Sequence, residues 1–122
     1  MNARGVASLG ARLIALLIAL APANEACAHA SLVKALPADG AVMPLPPATL
    51  TLTFNEPVSP LVVRLIGPDG APIAPTAVTA QDTTVTISAP PALRRGTHVL
   101  SWRVISADGH PVGGALIVTV VS

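Results

Sequence analysis

Prolines set the first limit on this chain. Thirteen occur in 122 residues, and all but Pro22 lie beyond residue 36. They recur at Pro37, Pro44, Pro46, Pro47, Pro57, Pro60, Pro68, Pro72, Pro75, Pro90, Pro91 and Pro111. A helix interior loses a hydrogen bond and gains a clash at each proline. No stretch beyond residue 28 shows helical periodicity either, so the chain is left with short strands joined by turns.

The strands are legible in the alternation of side chains. Thr49-Leu50-Thr51-Leu52-Thr53-Phe54 alternates polar and apolar residues without error, which places Leu50, Leu52 and Phe54 on an inward face. Thr83 to Ser88 alternates in the same way. Ala30 to Leu36 reads as a first strand, closed by Pro37 and the Asp39-Gly40 turn pair. Pro44, Pro46 and Pro47 exclude regular structure around them. Leu61 to Ile66 is stopped by Gly67-Pro68-Asp69-Gly70, and Pro72 and Pro75 make the next segment an edge strand or a loop. Thr97 to Ile105 and the β-branched run Ala115 to Val121 complete the set. About seven short strands at regular spacing predict an all-β fold, a small antiparallel immunoglobulin-like sandwich. Trp102, in phase with Leu100 and Val104, is expected to anchor its core. His98 falls in the same phase and is assigned a structural place at the core's edge.

The first twenty-eight residues have a different character. Arg4 and Arg12 precede the apolar run Leu13 to Ala21, and a polar stretch ends in Ala26-Cys27-Ala28. A basic region, a short apolar region and small residues at −3 and −1 mark a secretory signal peptide, and nine apolar residues are too few to span a bilayer. The expected organisation is a signal peptide over 1–28 and one sandwich domain over 29–122. Residues Asn24-Glu25-Ala26 before Cys27 do not suit lipidation, so Cys27 is expected to leave with the signal. The mature chain then has no disulfide and relies on its core. Lys34, Arg64, Arg94, Arg95 and Arg103 balance Asp39, Glu56, Asp69, Asp82 and Asp108. That neutrality gives no footprint for nucleic acid, and no second apolar segment would insert the mature chain into a membrane.

Chemistry is concentrated in two places. Asp108-Gly109-His110 sets a carboxylate and an imidazole two residues apart in a turn between strands, although Asp-Gly is also a common plain turn. His29, at the expected mature N-terminus, offers an α-amine of pKa about 7.7–8 and an imidazole of pKa about 6.5. A metal can displace both protons near neutral pH and close a chelate ring. With His110 as a further nitrogen and Asp108 as an oxygen, the donor set is tetragonal and favours Cu(II) or Ni(II), of which Cu(II) binds more tightly; zinc, which prefers a tetrahedron, is a competitor. Glu56, at the end of the cleanest strand, is either a solvated strand-end carboxylate or a hydrogen-bond acceptor that orients a ligand. A serine hydrolase lacks its nucleophile elbow here.

These residues together resemble the CopC family of periplasmic copper-binding proteins. The resemblance covers the whole mature chain. It rests on His29-Ala-Ser-Leu-Val, Pro37-Ala-Asp-Gly40, Leu52-Thr-Phe-Asn-Glu56, Gly96-Thr97 leading to Ser101-Trp102-Arg103-Val104, and Ser106-Ala-Asp-Gly-His-Pro111. It implies a Greek-key sandwich that binds one Cu(II) per chain through His29, Asp108 and His110, with Glu56 in a supporting hydrogen bond. It also implies a periplasmic location, a role in copper sequestration or delivery, and a CopD-type inner-membrane copper transporter as partner of a monomer. Some members carry a methionine-rich Cu(I) loop. Ile66 to Val78 here has no methionine or histidine, and Met43 stands alone, which points to Cu(II) only.

Two rival readings start from the same residues. Lytic polysaccharide monooxygenases also hold copper with an N-terminal histidine and a second histidine, but they need a broad surface with exposed aromatics. This chain has no tyrosine and only Phe54 and Trp102 as aromatics. The other reading is a metal-free immunoglobulin-like interaction module. The binding protein is preferred, and no enzyme activity is expected.

Overall fold

The computed structural model describes residues 30–91 and 93–122. The signal peptide expected over 1–28 and His29 lie outside the described residues. Nine strands follow in order: β1 Leu32–Leu36, β2 Ala41–Met43, β3 Thr49–Phe54, β4 Val58–Ile66, β5 Pro72–Ile73, β6 Ala77–Gln81, β7 Thr84–Ser88, β8 Gly96–Ser106 and β9 Pro111–Val120. They form two sheets, β1-β3-β7-β6 and β2-β9-β8-β4-β5. The described residues contain no helix, hence none long and apolar enough to cross a membrane.

The alternating strands pack face to face. Leu50, Leu52 and Phe54 of β3 and Val85 and Ile87 of β7 line one inner face. Leu65 of β4, Leu100, Trp102 and Val104 of β8, and Leu116, Val118 and Val120 of β9 line the other. Each fully buried aliphatic side chain of this kind contributes about 1.5–3 kcal/mol, and the fold rests on them because a chain with one cysteine forms no internal disulfide.

The structure adds strands to the seven expected. β2 lies just ahead of the proline cluster and pairs with β9 in parallel, a departure from a purely antiparallel sandwich. It is too short to show a pattern and is held by the turn before it. The Asp39 carboxylate accepts from the Ile117 N–H at 2.9 Å, and the Gly40 N–H donates to the Ile117 carbonyl at 2.8 Å. Gly40 has φ +82°, a region in which side chains are disfavoured. Asp39→Ala should therefore loosen β2 from β9 and lower stability by about 1 kcal/mol, read as a lower denaturant midpoint at unchanged slope. β5, with Pro72, is the edge strand expected, while β6 was hidden because all five of its residues are exposed.

β4 begins at Val58, three residues before the expected start. Its pairing with β8 shifts register between Pro60 and Val62, so the proline sits at an irregularity where its missing N–H is tolerated. β8 and β9 also extend further toward their shared turn than their apolar runs suggested. Gly113 and Gly114 are strand residues opposite Arg103 and Trp102, not part of the turn. Trp102, 7 % exposed, is in the core as expected.

Candidate metal centre

The β8–β9 connection is only four residues long, 107–110, and its geometry is fixed from within. The Ser106 N–H donates to the His110 carbonyl at 3.0 Å, and the Gly109 N–H donates to the Ser106 carbonyl at 2.9 Å. Gly109 takes φ +87°, which explains glycine between the two functional side chains. The closed turn directs both side chains out of the end of the sandwich.

Asp108 and His110 are brought together directly. Asp108 Oδ2 lies 3.0 Å from His110 Nδ1. The other carboxylate oxygen, Oδ1, accepts from the Ser106 hydroxyl and faces the His110 N–H at 3.4 Å. The Ser106 hydroxyl also accepts from the His110 N–H at 3.3 Å. Ser106 is buried, whereas the Asp108 and His110 side chains are 36 % and 57 % exposed. A buried hydroxyl thus braces a pair that faces water. Sequence reasoning passed over this hub; its signal was a hydroxyl residue two positions before an aspartate at a turn, a spacing suited to local side-chain hydrogen bonds.

The same contacts set the charge of the pair. The Ser106 hydroxyl, with a smaller contribution from His110, pulls the Asp108 carboxyl down from 3.8 to about 2, against a modest opposing effect of burial. The depressed value stabilises the folded state above the unfolded carboxyl's pKa, and that contribution is lost as pH falls from about 3.8 through about 2. Ser106→Ala should move the Asp108 titration upward, so that the acid loss is smaller and is complete at a higher pH; carboxyl-carbon NMR reads the titration directly. The same contact orients the imidazole, because Nδ1 sits against the carboxylate.

Other elements meet at this end of the sandwich. β4 pairs with β8 there, Val58 opposite Ser106, and Asn55 and Glu56 occupy the bend just before β4. Glu56 is half-buried and makes no hydrogen bond or ion pair among the described residues. The described N-terminus arrives at the same bend: the Ser31 N–H donates to Asn55 Oδ1 at 2.7 Å, and the Asn55 N–H donates to the Ser31 carbonyl at 3.0 Å. Ala30 is 3 % exposed.

His98 takes no part. It lies eight residues along β8 from Ser106, roughly 26 Å at strand rise. It is buried, with Nδ1 3.1 Å from the Gly96 carbonyl; its Nε2 has no partner among the described residues. The structural place expected for it holds. Among the described residues no three of His, Cys, Asp and Glu converge, so Asp108 and His110 are a pair that needs a donor from elsewhere to make a metal centre.

The CopC domain model matches residues 32–121, nearly the whole sandwich. The chain belongs to the CopC family. It is similar to the copper resistance protein C of Xanthomonas campestris pv. juglandis, with 31 % identity over 119 residues, 89 % of this chain and 92 % of that protein. Among solved structures, CopC from Methylosinus trichosporium OB3b superposes with a TM-score of 0.69 at 28 % identity, covering 76 % of this chain and 94 % of that one. PcoC, a methionine-rich copper resistance protein from Escherichia coli, follows at 0.63 and 25 %, covering 76 % and 99 %. The CopC match agrees with the fold built above, a two-sheet sandwich whose ends are closed by short turns.

Proposed function

We propose that this chain is a periplasmic copper-binding protein that holds one Cu(II) between its mature N-terminus and the Asp108–His110 turn. The leader over 1–28 is removed, and His29 then supplies its amine and imidazole. His110 supplies a further imidazole nitrogen and Asp108 an oxygen, while Glu56 accepts a hydrogen bond that orients the His29 side of the site. The observation that carries this reading is the meeting, at one end of the sandwich, of a braced carboxylate–imidazole pair with the segment that leads to residue 29. Copper resistance proteins among its relatives support copper as the cargo.

The donor chemistry supports the oxidation state. Amine, imidazole and carboxylate suit Cu(II), and thioethers select Cu(I). Beyond Met1 the only methionine is Met43, which packs half-buried against the core. Phe54 and Trp102 are both buried, so the site has no aromatic platform for a polysaccharide; this favours binding and transfer over oxidation. The exposure of His110 suits hand-over of the ion to a partner, for which a CopD-type inner-membrane transporter is the natural candidate, with the protein acting as a monomer.

The test is to export the full-length chain through its own leader, weigh the product and titrate it with copper. A mass beginning at His29 and one equivalent of tightly held Cu(II) are expected. A product beginning elsewhere, or uptake only at the level of free imidazole, contradicts the reading.

A further inference from the structure

We propose that Asn55 is a positioning residue for the metal centre: its side chain fixes the segment that delivers His29. The inference rests on the metal site proposed above and adds a residue to it that is not itself a ligand. Its origin lies in how β1 and β3 part company. The two strands run antiparallel with Leu32 opposite Phe54, and the following pair, Ser31 and Asn55, would ordinarily exchange two backbone hydrogen bonds or none. Here one is a backbone bond, from the Asn55 N–H to the Ser31 carbonyl at 3.0 Å. In the other, the Ser31 N–H is received by the Asn55 side chain at 2.7 Å.

The side-chain carbonyl therefore stands in for a backbone carbonyl. The substitution frees the backbone of Asn55 to turn away through Glu56 and Pro57 into β4, while the ladder to the N-terminal segment continues one residue further. Aspartate and asparagine are the residues whose acceptor sits at the right length for this. Ser31 is held on both backbone polar groups and Ala30 beside it is buried, so the described chain is fixed up to the residue next to the proposed ligand. A ligand pre-set in this way binds without the ordering cost of a free terminus. Glu56, the next residue after the clamp, is carried to the same place.

Asn55 is exposed, so its replacement leaves the core intact. In metal-free protein starting at His29, Asn55→Ala should expose the Ser31 amide to faster hydrogen exchange. It should also weaken Cu(II) about three- to tenfold in competition titration, the size of one lost hydrogen bond. Asn55→Asp keeps the acceptor and should restore the Ser31 protection. Two results would overturn the role while leaving the copper site standing: Asn55→Ala with wild-type affinity, or weakened affinity with Ser31 still fully protected. Wild-type protein that begins at His29 yet holds no tight Cu(II) would remove the metal reading itself, and this role with it.

Discussion

Leaving a single residue ahead of His29 is expected to weaken Cu(II) binding by more than the roughly 10- to 100-fold that loss of an outer hydrogen-bonding partner costs a metal site. The added residue converts the amine to an amide, which is no longer a basic donor, and breaks the chelate that joins amine and imidazole in one residue. His110→Ala should produce a loss of the same order from the opposite side of the site. The second change does not touch the core. The His110 side chain is more than half exposed, so its removal should move the unfolding free energy by no more than about 0.5 kcal/mol. Copper affinity and stability are thus expected to separate, and competition titration beside chemical unfolding of the same samples measures both. A His110→Ala protein that binds copper as before would exclude the turn from the site.

The largest effects on stability are expected at Trp102 and Gly114. These residues face each other across β8 and β9, and a Cβ on Gly114 would lie 2.6 Å from Trp102 Cζ2 and 3.1 Å from Cη2. The missing side chain is the space in which the indole lies. Trp102→Ala should cost about 3–5 kcal/mol through lost burial and the cavity left behind. Gly114→Ala should cost about 1–3 kcal/mol, because a packed ring must move to admit it. For a domain whose total stability is expected at about 5–15 kcal/mol, the first is a large fraction of the whole. The two are not additive: once the indole is gone, the methyl at 114 has room, and its penalty should vanish in a double-mutant cycle. A penalty that persists in the Trp102→Ala background would place the strain elsewhere.

The behaviour of Gly113 and Gly114 shows where sequence and structure diverge. In the sequence they extend an obvious turn; in the structure they belong to β9, paired with Arg103 and Trp102 of β8, and Gly114 leaves the space in which the indole lies. A contact between residues twelve apart leaves no local pattern to read. The same holds for β2: three residues before a proline cluster become a strand only because β9 offers a partner. β6 escaped for another reason: with all five residues exposed, it lacks the alternation that made β3 plain. By contrast, β3, β7 and the core run of β8 were legible because each buries every second residue.

The site divides in a similar way. Asp108 and His110 were legible as a pair because two residues across a glycine turn must be neighbours, and the structure puts them 3.0 Å apart. Ser106 and Asn55 were not singled out as site residues. Each acts through a hydrogen bond whose partner is fixed only by the fold, one at the base of the turn and one across the β1–β3 junction.

The most direct measurement is electron paramagnetic resonance of the exported, copper-loaded protein, with and without 15N in its histidines. A nitrogen-rich tetragonal spectrum is expected, its fine splittings altered by the label and changed again in His110→Ala, which removes one of three nitrogen donors. An oxygen-only spectrum, or a nitrogen-rich one unchanged in His110→Ala, would contradict a copper site shared by the mature N-terminus and the Asp108–His110 turn.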